Sequence, residues 1–456
     1  MDLNKYIFRE YDIRGKVSDD FPPDVVESLG KGFGTFIKRG GGQEIALSGD
    51  VRLTTPDLIQ QFKTGVLSTG VDVINIGILP TPANYFSMFH LDVAGAVQIT
   101  GSHNPPEFNG FKMSQNKKAV FGESIQDIRT LIEKQDYETG EGSEASYDIL
   151  SKYKRMISSK IDIQKRLKVV MDCGNAAGAI CGPDIFKNMN VDLTELFCDV
   201  DGTFPNHHPD PTVEANLTDL ISLMKTGKFD IGIAFDGDAD RIGVVDETGD
   251  IIWADQLMAL FLPEVLEEGD EILYDVKCSQ ALEDMIVKYG GKPIMWKTGH
   301  SLIKQRMGEL NCKLGGEMSG HIFFADDYYG YDDAIYVAAR IVQTLSRTDK
   351  TLSQLKAELP TYFSTPEMRL EAESDEEKFR IAKEAVAYFT DNYDCSTIDG
   401  VRIQFGDGWG LVRQSNTQPV IVCRFEANTP ERMAEIQSIV LDKLQTIGSL
   451  KLDAGH

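Results

Sequence analysis

The chain has 456 residues, 42% of them hydrophobic and 26% charged, the composition of a soluble globular protein too long for one core and suited to about three or four domains. Its 46 Lys and Arg against 71 Asp and Glu give a net charge of −25, which excludes nucleic-acid or anionic-membrane binding through a broad basic face and requires a local basic pocket for any anionic substrate. No apolar run approaches membrane-spanning length, Met1-Asp2-Leu3-Asn4-Lys5 lacks a signal-peptide layout, and the seven scattered cysteines contain no C-x-x-C pair, so a cytoplasmic protein with reduced thiols is expected.

In chain order, Tyr11-Asp12-Ile13-Arg14-Gly15 comes first and places an arginine at a glycine turn. Residues 44–50 read as a strand, 56–68 as a helix and 71–76 as a second strand. The apolar run 93–99 then delivers Thr100-Gly101-Ser102-His103-Asn104-Pro105-Pro106. A strand that feeds a serine into a tight turn presents its hydroxyl as a nucleophile. Gly101 lets another group approach the backbone, Pro105 and Pro106 keep the turn from relaxing into helix, and His103 adds a titratable neighbour. An ordinary Ser/Asn/Pro turn is the competing reading of this stretch alone. Lys112 follows ten residues after Ser102, and residues 134–146, rich in Glu, Gly and Ser, read as a linker.

The strand–helix–strand rhythm returns twice, at 167–174, a helix to about 188 and 191–197, and again at 271–277, 280–289 and 292–296. Three related α/β domains with mixed, mainly parallel sheets are therefore expected. Lys277, Lys297 and His300 fall at strand ends in the third, where ligands gather in parallel sheets. The last stretch differs: a charged linker at 371–378, a helix at 379–389, strands at 401–405, 410–412 and 420–426, and an amphipathic helix at 430–444. This is an α+β domain of another kind. The expected division is 1–145, 146–250, 251–365 and 366–456.

Asp236-Gly237-Asp238-Ala239-Asp240-Arg241 follows the apolar strand 230–235. Carboxylates at every second position can converge on one hard cation, and Arg241 beside them can meet a phosphate. A calcium EF-hand fits at loop positions one, three, five and twelve through Glu247, but fails at the sixth, where Arg241 replaces glycine between strand-like flanks. A solvated acidic turn is the other reading. Gly316-Glu317-Met318-Ser319-Gly320-His321 offers a carboxylate, a hydroxyl and an imidazole, a set suited to sugar hydroxyls. Arg413-Gln414-Ser415-Asn416-Thr417-Gln418-Pro419, with Arg424 on the next strand, offers two arginines and several small donors for phosphate oxygens.

Together Y-D-I-R-G at 11–15, T-G-S-H-N-P at 100–105, D-G-D-A-D-R at 236–241, G-E-M-S-G-H at 316–321 and R-Q-S-N-T-Q-P at 413–419 resemble the α-D-phosphohexomutase superfamily, most closely its bacterial phosphomannomutase/phosphoglucomutase branch. The resemblance covers essentially the whole chain and implies four domains around a central cleft, three sharing an α/β core and the fourth moving to open and close it. It implies that Ser102 carries a phosphoryl group and that Asp236, Asp238 and Asp240 bind Mg²⁺ with it. Arg14, His103, Lys112, Arg241 and His300 would line the catalytic centre, with Lys112 and His300 as general acid/base groups. Tyr11, Lys277, Glu317, Ser319 and His321 would meet the substrate, the Glu317 and Ser319 pair at the sugar hydroxyls. Arg413, Ser415, Asn416, Thr417 and Arg424 would clamp the phosphate not being transferred.

The implied activity is reversible interconversion of hexose 1-phosphate and hexose 6-phosphate, for mannose, glucose or both, through hexose 1,6-bisphosphate, by a monomer or dimer with no nucleic-acid or membrane partner. Phosphoglucosamine mutase is the alternative within the superfamily. A metal-dependent sugar phosphatase using Ser102 is a second alternative, which gives no reason for the distal clamp. A non-catalytic sugar-phosphate binder is a third, and it gives no reason for Ser102 and the three aspartates.

Overall fold

A computed structural model describes residues 3–415 and 420–452. The chain forms two compact units, Met1–Ala254 with Ser319–Leu355, and Asp255–Met318 with Lys356–His456.

The first unit is built on two mixed sheets. In the first sheet, Glu44–Gly49 lies between the parallel strands Asp72–Ile78 and Gly95–Ile99. Phe108–Gln115 then runs antiparallel to Gly95–Ile99, and Ile13–Lys16 antiparallel to Phe108–Gln115. The expected arginine turn at 11–15 is therefore a strand from Ile13 onward, with Arg14 opposite Gly110. Gly15 is needed because a Cβ there would meet the Asp20 side chain at 2.6 Å. The helix Pro23–Arg39 turns Val25, Val26, Leu29, Phe33 and Ile37 inward, against Phe62, Phe111 and the helix Glu123–Lys134.

The stretch 134–146 is tied down more firmly than a linker. Glu144–Ser146 adds a parallel edge strand to Asp72–Ile78, Lys63 holds Glu144 at 2.9 Å, and Arg39 pairs with Asp136 and Glu138. Its polar composition reflects an edge that faces solvent on one side.

In the second sheet Leu167–Asp172 pairs parallel with Val191–Leu196 and Ile231–Phe235, and Ile231–Phe235 turns directly into the antiparallel Ile242–Asp246. Both sheets thus combine parallel pairs with antiparallel strands, as expected of mixed α/β domains. The connection after Leu167–Asp172 is a 3-10 turn, Ala177–Ile180, followed by a short helix, Gly182–Lys187, where one helix to about 188 was expected.

In the second unit Glu271–Asp275 is flanked by the parallel strands Lys292–Trp296 and Leu314–Gly316. A further antiparallel sheet contains Val401–Gln404, Gly408–Gln414, Val420–Ala427 and Met368–Glu371. The helices Asp375–Asn392 and Pro430–Ile447 bury Ile381, Ala385, Phe389, Ile436, Val440 and Leu444 with its apolar residues. The charged run at 371–378 starts a helix where a linker was expected. Ser374 caps it by accepting from Glu377 N, and Asp375, Glu376 and Glu377 sit in the first turn, where acidic groups complement the helix dipole. Among the described residues no helix is long and apolar enough to cross a membrane.

Candidate active site

Strand register fixes the chemistry of the first unit. Glu44–Gly49 and Gly95–Ile99 are parallel with Gly49 opposite Ile99, so Asp50 and Thr100 emerge from the same end of the sheet. Thr100 Oγ1 donates to Asp50 Oδ2 at 2.8 Å, Gly101 N donates to the same oxygen at 3.1 Å, and Ser102 N donates to Thr100 Oγ1 at 2.8 Å. Ser102 itself takes the left-handed conformation, φ +48°, which is uncommon for a serine and held here by its surroundings.

Arg52, buried beneath this turn, supplies most of that hold. Its guanidinium donates to the carbonyls of Ser102 (2.7 Å), Asn104 (2.6 Å), Pro105 (2.6 Å) and Phe108 (3.1 Å), and to Asp50 Oδ2 (3.1 Å). The group whose approach Gly101 permits is this one, since a Cβ at Gly101 would meet the guanidinium at 2.5 Å.

The hydroxyl of Ser102 lies 3.1 Å from Asp236 Oδ2 and 3.1 Å from His103 Nδ1. Desolvation, with Arg241 and Arg14 nearby, pushes His103 well below the ordinary histidine range, so it is neutral at physiological pH. The tight connection between Phe235 and Ile242 gathers Asp236, Asp238 and Asp240, whose oxygens lie within 4.8 Å of one another. Gly237 is required because a Cβ there would run into the Ser102 carbonyl.

All three carboxylates are fully buried. Lys112, brought beside Gln98 by the antiparallel pairing, holds Asp238 at 2.7 Å and Asp240 at 2.5 Å. Burial opposes its charge, but Asp238 and Asp240 outweigh this and raise it well above the usual lysine range. Asp236 is driven well up by burial and by its neighbours Asp240 and Asp238. Asp240 is raised by burial and Asp238. Asp238 goes the other way, because Lys112 and a hydrogen bond from Thr81 overcome burial.

Asp238 Oδ1 and Asp240 Oδ1 have no hydrogen-bond partner among the described residues. Three close carboxylates with buried, unused oxygens fit a hard divalent cation. Arg14 donates to Asp12 Oδ2 at 2.5 Å and to Asn104 Oδ1 at 2.8 Å, Arg241 Nε donates to His321 Nε2 at 3.0 Å, and Tyr11 and Ser319 are partly exposed in this unit.

The second unit carries its own cluster at the carboxyl ends of its parallel strands. Lys277 Nζ pairs with Glu367 at 3.1 Å and stands 3.9 Å from Asp275. Burial opposes the charges here too, yet Lys277 and Arg369 hold Glu367 down to about 2, and Glu367 and Asp275 raise Lys277. Buried Glu317 accepts from Gly299 N, and His300 opens the helix His300–Leu310 next to it. Asp399 Oδ2 accepts from both Thr298 N (3.1 Å) and Arg413 Nε (3.0 Å), which joins Arg413 to the loop before His300.

Arg424 is 2% exposed and donates to the carbonyls of Lys277 and Thr365. Arg402, stacked 3.8 Å over Trp409, donates to the flanking carbonyls of Val276 (2.8 Å) and Cys278 (3.0 Å). Two arginines therefore grip the Lys277 loop as Arg52 grips the Ser102 turn. Ser415 is buried and its carbonyl accepts from Lys378 at 3.1 Å, while Asn416 and Thr417 lie outside the described residues.

The structure thus brings Arg14, Ser102, His103, Lys112, the three aspartates, Arg241 and His321 together in one unit, and Lys277, His300, Glu317, Arg413 and Arg424 in the other. Sequence reasoning missed Asp50, Arg52, Thr81, Asp275, Glu367, Asp399 and Arg402. Asp50, Arg52 and Asp275 carried a usable signal, since each lies at or just past the carboxyl end of a parallel strand.

The chain matches, in order, the domain I, II, III and C-terminal domain profiles of the phosphoglucomutase/phosphomannomutase family, over residues 5–139, 151–249, 253–363 and 367–443. It is 42% identical over 447 residues to a phosphomannomutase/phosphoglucomutase of Pseudomonas aeruginosa, covering 97% of this chain and 96% of that one. A phosphoglucomutase of Neisseria meningitidis serogroup A is 40% identical over 438 residues, 95% of each chain. A crystal structure of a phosphoglucomutase/phosphomannomutase family protein from Burkholderia thailandensis matches with a TM-score of 0.92 and 39% identity, over 98% of this chain and 100% of that one.

Proposed function

The chain belongs to the phosphoglucomutase/phosphomannomutase family, and from that premise we propose that it interconverts hexose 1-phosphate and hexose 6-phosphate, on mannose and glucose phosphates, through a phosphorylated Ser102. The observation that carries the reading is the Ser102 hydroxyl, held in a left-handed turn 3.1 Å from a buried aspartate that belongs to a metal-type trio. We assign the four domains to 1–145, 146–250, 251–365 and 366–456.

In the forward half-reaction the bond from phosphorus to Ser102 Oγ breaks and a bond to a free sugar hydroxyl forms, giving hexose 1,6-bisphosphate. The proton leaves the sugar hydroxyl for a base and one returns to Ser102 Oγ. His103, neutral and 3.1 Å from that oxygen, suits the exchange at Oγ, while at the sugar His300 serves as the base and Lys112, held charged by Asp238 and Asp240, as a proton donor. The bisphosphate then turns round and returns its other phosphoryl group to Ser102.

Phosphoryl transfer is catalysed mainly by position and by neutralising charge, which is the work of Arg14, Lys112 and Arg241. Asp236, Asp238 and Asp240 would hold Mg²⁺, which supplies charge neutralisation at the phosphoryl oxygens. Glu317 and Ser319 would take the sugar hydroxyls. Lys277, Arg413, Ser415, Asn416 and Thr417 would take the second phosphate, with Tyr11 and His321 also at the substrate. Arg424 acts in the same recognition through the Lys277 backbone.

A coupled assay with mannose 1-phosphate and glucose 1-phosphate, Mg²⁺ and hexose 1,6-bisphosphate tests the reading. Both sugars turn over in the wild type, and Ser102→Ala loses about a thousandfold or more in kcat. Equal rates in the two proteins, or release of inorganic phosphate in place of isomer, would reject it.

A further inference from the structure

After His321 the chain runs out and folds back, pairing Phe323 with Asp332 in an isolated antiparallel bridge. Two aspartates follow one another here and point to different partners. Asp333 accepts from Tyr153 and Tyr328 and caps the helix Ala334–Ser346. Asp332, fully buried, places Oδ2 2.9 Å from His321 Nδ1, and Asp240 Oδ1 stands 3.6 Å from the same nitrogen. On the other side of the ring, His321 Nε2 accepts from Arg241 Nε at 3.0 Å.

The hydrogen bond from Arg241 fixes the imidazole's tautomer. An arginine has no acceptor, so the nitrogen facing Arg241 must offer its lone pair, and the ring proton must sit on Nδ1, the nitrogen facing two carboxylates. We propose that Asp332 is a positioning residue for phosphoryl transfer: it keeps His321 as the Nδ1–H tautomer, so that Nε2 anchors the Arg241 guanidinium beside the acidic trio. Asp332 reaches the Arg241 guanidinium through His321, and its carboxylate lies within 4.8 Å of Asp240 on the same side of the ring. A corollary follows for the chemistry. While Nε2 holds Arg241 it has no proton to give, so His321 in this arrangement orients a cation and does not serve as a general acid.

The inference deepens the mutase reading and rests on it for its kinetic consequence, whereas the tautomer is a property of the folded chain alone. Long-range ¹⁵N–¹H spectra of histidine-labelled protein, with the His321 signals assigned by loss in His321→Gln, read the tautomer directly. The expected result is an Nδ1–H, unprotonated-Nε2 ring in the wild type. A ring protonated at Nε2 overturns the proposal even if Asp332 variants do not fold.

In the mutase assay Asp332→Asn lowers kcat about tenfold or more with KM within about twofold, as expected when an orientation is lost and binding is kept. Asp332→Glu, which retains a carboxylate, recovers part of the rate. The double variant Asp332→Asn/His321→Gln is no slower than His321→Gln alone, because the two side chains act in series. Losses that multiply in the double variant, with melting temperatures lowered alike, would assign Asp332 a merely structural role. No turnover by the wild type would defeat the mutase reading and leave the spectroscopic result standing.

Discussion

Replacing Arg52 by lysine isolates what the guanidinium contributes to the Ser102 turn. The arginine uses five N–H groups on five acceptors: Asp50 Oδ2 and the carbonyls of Ser102, Asn104, Pro105 and Phe108. Lysine keeps the charge for Asp50 but brings only three donors on one atom. At least two acceptors then lose their partner in a site where Arg52 is 1% exposed and water does not replace it. Each unmade buried hydrogen bond costs about 1–3 kcal/mol, so the variant loses about 2–6 kcal/mol. At about 2–4 °C per kcal/mol, the melting temperature falls by roughly 4–24 °C. Activity falls further than stability requires, because the carbonyls released include that of Ser102, and a displacement of about 1 Å at a reacting group costs on the order of a hundredfold in rate. Differential scanning fluorimetry and the coupled mutase assay, run below the melting transition, read the two effects separately. A melting temperature within about 2 °C of wild type together with unchanged kcat would refute the claim that Arg52 holds the turn.

Removal of divalent metal with a chelator abolishes turnover, and Mg²⁺ restores it. Added Mg²⁺ also raises the melting temperature until the site saturates, about 2.7 kcal/mol of stabilisation at a hundredfold excess over Kd, and Asp238→Asn blunts that rise. A melting temperature indifferent to Mg²⁺ contradicts the metal reading of the trio. Asp333 gives a pH prediction. Burial raises it from 3.8 to about 6, so the folded state keeps the proton longer than the unfolded chain. Its contribution to stability is full below pH 3.8 and is lost as the pH rises through about 6, up to about 3 kcal/mol in all. Asp333→Asn keeps an acceptor for the Tyr336 N–H and removes that slope. Identical pH profiles of melting temperature for wild type and variant between pH 4 and 7 would contradict the assignment.

What the sequence made legible was the chemistry carried by contiguous residues. Ser102 with His103, and Asp236 with Asp238 and Asp240, stand out because a tight turn or a short hairpin connection must place them together whatever the rest of the chain does. The βαβ rhythm was legible for a similar reason, since alternating apolar runs and helices report local burial. The supports of the site were legible at most as strand-end positions, not as partners. Arg52 and Asp50 lie about fifty residues before Ser102, and Asp332 lies far beyond Arg241, so only the strand pairing that joins them shows what they do. Arg424 shows the opposite case. Its position beside the phosphate-loop motif pointed to an anion, but its guanidinium holds the Lys277 carbonyl, a partner that comes from a distant strand end. The segments 134–146 and 371–378 misled because polar composition describes a sheet edge and an acidic helix start as well as it describes a linker.

The central claim is that Ser102 is the phosphoryl carrier of the turnover cycle. Rapid-quench chase of ³²P-labelled enzyme tests it most directly: the protein is labelled with ³²P hexose 1,6-bisphosphate, mapped by peptide mass spectrometry, and mixed with unlabelled glucose 6-phosphate. The account predicts label on the peptide containing Ser102 and transfer to sugar at a rate no slower than kcat. Label on any other residue, or a chase slower than turnover, would contradict it.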